Sequence, residues 1–305
     1  MPLVDRDVED GHRDPAEGSV PRGRRGGVGL KQANAKQARR ELLPNQSPEL
    51  LKTLHLMTRD GRLNADALRK LKQVNHLAGL LAPAMEDAFA RHPTDAVVAD
   101  LGSGNAYLGF VLYELFFKGR DAGDLYCVES RTDLAARVDE RAKALDYPRL
   151  HSVNATIDTA ALPERVHVLT ALHACDTATD DVLAVAIAKK VDHVAVVPCC
   201  QAEVAQQLKD ARPKLTAAMA SLFEHSWHRR EFGSHLTNVI RALTLEAHGY
   251  QVTVTELTGW EHSMKNELII GRKVHAENRD AKKRLDALLE QTLVQPKLLR
   301  QLANT

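Results

Sequence analysis

Aromatic residues are scarce in this 305-residue chain: two Trp, five Tyr and six Phe, 4% in all. A surface that stacks bases along a single strand needs more rings than that. Cysteine is scarcer still, with four residues. That is too few to staple a fold of this length, so free thiols in a reducing cytoplasm are the expectation. No apolar run reaches bilayer-spanning length. The opening stretch MPLVDRDVEDGHRDPAEGS also lacks the apolar core of an export signal. A cytoplasmic protein with no membrane partner is therefore expected. A charge excess is missing too: 41 Lys and Arg stand against 40 Asp and Glu, a net +1. Any attraction to nucleic acid must be local.

What is present is an ordinary globular composition, 44% hydrophobic and 27% charged, with enough length to bury a sizeable core. Residues 1–46 are polar and aperiodic and read as a disordered tail. Within it, residues 22–40 carry Arg22, Arg24, Arg25, Lys31, Lys36, Arg39 and Arg40 and no acid. Such an arm can be a solvated tail or can contact RNA phosphates.

A helical N-terminal unit follows at 47–93. Ser47 is placed to cap it, with Pro48 at the first helical position, and breaks are expected near Asp60-Gly61 and at Pro83. From 94 to 276 strands and helices alternate, beginning with AVVADLG and AYLGFVLYELFFKG and closing with YQVTVTEL and NELIIGRKV. The last two strands have a short connection and should pair antiparallel. The pattern predicts an α/β fold: a Rossmann-like, doubly wound, seven-stranded sheet with its last strand antiparallel. A C-terminal helical extension fills 277–305.

The segment VVADLGSGNAYLGF runs from a buried strand through a glycine turn into a helix. Gly102 and Gly104 allow a ligand close to the backbone. A dinucleotide fold wants a third glycine, where this chain has Tyr107, and its pyrophosphate would be repelled by Asp100 at the strand's end. S-adenosylmethionine carries no phosphate and bears both an ammonium and a sulfonium, so a carboxylate at the mouth of the loop can attract it. Glu129, ending the next strand, can accept hydrogen bonds from its ribose hydroxyls.

DLGSGNAYLGF resembles motif I of class I S-adenosylmethionine-dependent methyltransferases. ALHACDTATDDVL and VVPCCQ resemble the group in which LHAC…ATD and PCC segments occur together, which includes the glutathione S-transferase C-terminal-domain-containing protein, ribosomal RNA adenine dimethylase domain-containing proteins and, more distantly, a tRNA 2′-O-methyltransferase family. The likeness covers about residues 68–272, and Asp176 stands where the group has glycine. It implies cofactor contacts from Asp100, Gly102, Ser103, Gly104, Asn105, Tyr107 and Leu108 around motif I. Further contacts would come from Glu129, Ser130, Thr156, Ile157 and Leu172 beyond the following strands. KQVNH resembles a helical segment that precedes motif I in related proteins, so Lys72 and His76 can lid the pocket.

Strands four and five should be neighbours, bringing His173, Cys175 and Asp176 beside Cys199, Cys200 and Gln201. His173 or Asp176 can act as general base for a hydroxyl or protonated nitrogen nucleophile. Cys199, Cys200 and Gln201, with Lys72 and His76, are the expected substrate contacts. His173 and the three cysteines are zinc-type ligands, but no C-x-x-C spacing joins them, and no metal is expected. The reading is methyl transfer to an RNA, tRNA included. The alternatives are a small-molecule or protein acceptor, or a non-catalytic cofactor-binding scaffold. The sequence carries no signal of oligomeric state.

Overall fold

The computed structural model describes residues 42–172, 174, 176–198, 201–257 and 267–304. The basic arm at 22–40 lies outside the described residues, as do His173, Cys175, Cys199 and Cys200.

Helix α1 (Pro48–Thr53) starts as its sequence dictates: the Ser47 hydroxyl accepts from the Leu50 N–H, with proline at the first turn. Helix α2 (Ala65–Arg91) is capped by Asn64, whose side chain accepts from Ala67 N–H at 2.7 Å. The sequence predicts a break at Pro83, but α2 runs straight through it. Proline removes the bond that would go to the Gly79 carbonyl; Gly79 and Pro83 are both exposed, so that carbonyl is not left in an apolar interior.

The sheet holds β1 (Val97–Leu101), β2 (Asp124–Glu129), β3 (Leu150–Asn154), β4 (Val168–Leu172), β5 (His193–Val197), β6 (Tyr250–Glu256) and β7 (Glu267–Lys273), in the order β3-β2-β1-β4-β5-β7-β6. The first five strands are parallel, and β7 lies antiparallel between β5 and β6. This is the doubly wound seven-stranded sheet expected from the sequence. β1 and β5 are buried along their whole length, which is why they read as unbroken apolar runs.

The connecting helices are α3 (Tyr107–Leu112, continuing as a π turn over Tyr113–Phe117), α4 (Thr132–Ala144), α5 (Ala178–Ala188), α6 (Glu203–Ala211), α7 (Ala217–Ser221) and α8 (Ser226–Ala247). Helices α9 (Arg279–Thr292) and α10 (Lys297–Leu302) follow the sheet.

One face of the sheet shares a core with α1, α2 and α3, through Leu50, Leu71, Leu77, Met85, Phe110 and Phe117. The other packs Leu169, Val182, Leu183, Val194 and Leu245 together with Leu298 of α10. The N-terminal helices therefore form a layer of the α/β core. His193 Nε2 lies 2.6 Å from Asp87 Oδ2 and ties α2 to β5. Among the described residues, no helix is long and apolar enough to cross a membrane.

Candidate cofactor site at the sheet's switch point

Strand order reverses between β1 and β4, and a doubly wound sheet opens its ligand crevice at the carboxyl ends of the strands flanking such a point. A cavity of about 650 Å³ lies there, within the size range of cofactor sites. Every strand end nearby contributes: Gly102, Ser103 and Gly104 after β1, Glu129, Ser130 and Arg131 at β2, Thr156, Ile157 and Asp158 after β3, Leu172 and Ala174 at β4. Ala178 and Asp181 of α5 and Lys297 of α10 complete the lining. A larger cavity, about 720 Å³, lies between α9 and α10, lined largely by Leu289, Leu293, Val294 and Leu299, away from the glycine loop.

The loop's backbone is built to leave room. Gly102 has φ +68° and Gly104 φ +57°, the left-handed region that glycine enters without strain. A Cβ on Gly102 would stand 3.9 Å from both Ala174 Cβ and Ile157 Cδ1, spanning the cradle. Glu129 fastens the loop from β2: its Oε2 accepts from Gly104 N–H at 2.8 Å and its Oε1 from Arg131 N–H at 2.9 Å. Oε1 is also approached by Arg131 Nε at 3.4 Å and the Ser130 hydroxyl at 3.5 Å, whereas Oε2 keeps a second acceptor site; the side chain lines the cavity, where a ribose hydroxyl can use it. The residues thus fit S-adenosylmethionine. Gly102 and Gly104 would pass under it, Glu129 would hold the ribose, and Ile157 and Leu172 would flank the base.

Asp100 differs from the sequence expectation. It sits beneath the loop rather than at its mouth, 2% exposed and absent from the cavity lining. Burial pushes its carboxyl up to about 7, only partly offset by a hydrogen bond from the Gly109 backbone. Its Oδ1 has no hydrogen-bond partner. Strand alternation accounts for the placement: Asp100 points into the layer between β1 and α3, beside Cys127. Leu108 is likewise buried in the core, and Asn105 and Tyr107 are half-buried outside the cavity lining.

Among the expected catalytic and substrate residues, His173, Cys199 and Cys200 lie outside the described residues. Asp176 is half-buried with φ +46°. That left-handed conformation is the physical reason a glycine suits this position. Its Oδ1 accepts from Ala202 N–H at 3.0 Å and joins the loop after β4 to the loop after β5. Gln201 is buried and braced: its Oε1 accepts from the Ser234 hydroxyl at 2.6 Å. Lys72 is half-buried and His76 exposed on α2, and neither lines the cavity. Asn75 between them exchanges amide hydrogen bonds with Gln46.

Sequence reasoning missed Arg241, the largest fully buried side chain among the described residues. Its guanidinium donates to Asp180 Oδ1 at 2.8 Å, to the Asp176 carbonyl at 2.8 Å and to Asn238 Oδ1 at 3.2 Å. It holds the loop after β4 against α8. Burial raises the Asp180 carboxyl, and Arg241 pulls it back down. No local signal marks the pair, because its members stand 61 positions apart.

At the opposite end of the strands, His92, His167 and Asp192 lie close enough to suggest a metal. His167 Nδ1 accepts from Val97 N–H at 2.9 Å, which puts the proton of the neutral ring on Nε2. Burial lowers the His167 pKa and keeps the ring neutral. A metal would need Nε2 bare, so the bonding does not fit one.

Residues 69–207 match a family model described as "Methyltransferase domain". The chain is 26% identical over 233 residues to glutathione S-transferase C-terminal domain-containing protein of Bos taurus, covering 70% of this chain and 35% of that one. The Homo sapiens protein gives the same identity and coverage. The chain thus spans about a third of the length of the curated relatives it matches. Among solved structures, an SAH-bound methyltransferase of Podospora anserina aligns over 85% of this chain and 100% of its own, at 11% identity and TM-score 0.44. An rRNA methylase of Streptococcus thermophilus aligns over 64% and 95%, at 11% identity and TM-score 0.40. The segment similar to a methyltransferase domain builds most of the cradle, and S-adenosylmethionine is the cofactor this cradle fits.

Proposed function

We propose that this protein is a cytoplasmic S-adenosylmethionine-dependent methyltransferase whose acceptor is RNA. The cofactor, when bound, supplies an electrophilic methyl group on its sulfonium. The chain's part is to hold an acceptor atom in line with that methyl, which accounts for much of the rate in such displacements. His173 or Asp176 takes the acceptor's proton.

The observation that carries the RNA reading is the outer half of α8. Trp227 is 55% exposed, and the Arg230 guanidinium lies 4.3 Å from its ring centroid. His225, His228 and Arg229 adjoin it, and the pairs Arg212–Glu224 and Arg230–Glu231 leave Lys214 and Arg229 as further cations of this stretch. Trp227, Ser234, Asn238 and Arg241 recur at near-helical spacing on α8. Ser234 binds Gln201 at the end of β5, and Arg241 binds the loop after β4. An exposed ring in a cationic setting, about 10 Å along the helix from the acceptor side of the cleft, suits a nucleobase and its phosphates. The basic arm at 22–40 adds phosphate contacts of the same kind.

The test is transfer of labelled methyl from S-adenosylmethionine into fractionated cellular RNA, protein and metabolites. Label should enter RNA, and Trp227→Ala with Arg230→Ala should reduce it while S-adenosylhomocysteine affinity is unchanged. Label confined to protein or metabolites would overturn the RNA reading.

A further inference from the structure

We infer that the C-terminal helix α10 forms one wall of the cofactor pocket and that Lys297 is a cofactor-binding residue at its adenine end. This rests on the cofactor reading above and goes beyond it. Lys297 stands 90 positions past the end of the matched methyltransferase segment, at 207.

Three observations carry the inference. Lys297 lines the same cavity as Gly102 and Glu129. Its helix is fixed there rather than resting on the surface: Leu298 is fully buried in the core, Lys297 N–H donates to Glu203 Oε2 at 2.9 Å, and Arg300 donates to Glu203 Oε1 at 2.6 Å. The ammonium itself is aimed, lying 2.7 Å from the Asp181 carboxylate in the first turn of α5.

The charges of the cavity give Lys297 its part. Three carboxylates line it, Glu129, Asp158 and Asp181, against two cations, Arg131 and Lys297. Arg131 is engaged beside Glu129, its Nε 3.4 Å from that carboxylate, at the ribose position. Lys297 pairs with Asp181 and acts electrostatically on Asp158 in the loop after β3, beside Ile157 that would flank the base. A purine edge offers ring nitrogens that only accept, and a carboxylate cannot bond to them. An ammonium has three donors. One reaches Asp181, which leaves a donor for a ring nitrogen.

Calorimetry on the full-length protein tests this with two probes, S-adenosylhomocysteine and the uncharged nucleoside 5′-methylthioadenosine. Lys297→Met keeps the alkyl stem and removes the donor; it should weaken both probes roughly fivefold to tenfold, the size of one charge-assisted hydrogen bond. Lys297→Arg should retain most of the affinity. Lys297→Met with Asp181→Asn should stay weak. Restored affinity in that double variant would mean that Lys297 only neutralises Asp181, and would overturn the inference. So would wild-type affinity in Lys297→Met, or a loss seen with S-adenosylhomocysteine and not with the nucleoside. If the wild-type protein binds neither probe, the cofactor reading itself falls.

Discussion

Replacing Asp100 by Asn should stabilise the protein increasingly as pH rises. Burial holds this carboxyl at about 7 instead of 3.8. A gap of about three pH units corresponds to about 4 kcal/mol. The folded-state pKa is raised, so the unfolded chain releases the proton first. Stability associated with Asp100 is fully present below pH 3.8, is lost as pH climbs towards 7, and is flat above that. Asn does not titrate, and its oxygen can still accept from Gly109 N–H. The stability of Asp100→Asn relative to wild type should therefore grow by roughly 3 kcal/mol between pH 5 and pH 8. Urea unfolding of both proteins at several pH values measures the difference. A difference that does not change with pH would refute the reasoning, because it would mean that Asp100 ionises as readily in the fold as in the unfolded chain. The cofactor's cationic groups favour the ionised form. S-adenosylhomocysteine, which keeps the ammonium, should accordingly bind wild type more tightly at pH 8 than at pH 6 and bind Asp100→Asn equally at both.

Glu129→Gln removes the charge from the loop's fastening and the ribose acceptor together, and calorimetry should show S-adenosylhomocysteine weakened by about 1–3 kcal/mol; an unchanged affinity would remove Glu129 from the site. Gly102→Val fills the gap between Ala174 and Ile157 in a left-handed backbone position, so cofactor binding should vanish while circular dichroism still reports a folded protein. Arg241→Met strands the Asp180 carboxylate, which is 1% exposed, and thermal unfolding should show a loss of about 3–5 kcal/mol that Asp180→Leu in the same chain largely reverses.

The central strands of the parallel sheet are legible because burial on both faces makes them short apolar runs, as in Val97–Leu101 and His193–Val197, whereas the edge strand Leu150–Asn154 is half-exposed and mixed. The helices are less so. α8 opens at Ser226, but its first two turns, SWHRREF, face mostly solvent and show no apolar stripe to mark them as helix. Pro83 misled for a related reason: the cost of proline depends on whether its carbonyl partner reaches water, which sequence does not report. At the site, positions that follow strand ends, such as Gly102, Glu129 and Ile157, could be found from the strand pattern alone. Arg241, Asp181 and Lys297 could not, since only tertiary packing brings α8, α5 and α10 to the loops they hold.

A dinucleotide is disfavoured by the charge of the cavity rather than by the missing third glycine. Sequence spacing gave weight to Tyr107 in the third-glycine position, yet the close helix–strand contact which that glycine normally permits is made two residues later. A Cβ on Gly109 would stand 2.5 Å from Cys127 Sγ, so α3 rides on β2 through Gly109 instead. The missing glycine at 107 therefore says little about the ligand. Asp100 beneath the loop says less than its place in the sequence promised. The cavity's own charges decide the matter: Glu129, Asp158 and Asp181 outnumber Arg131 and Lys297. A pyrophosphate would bring two more negative charges into that excess. S-adenosylmethionine brings a sulfonium, an ammonium and one carboxylate, a net positive charge that the same excess attracts.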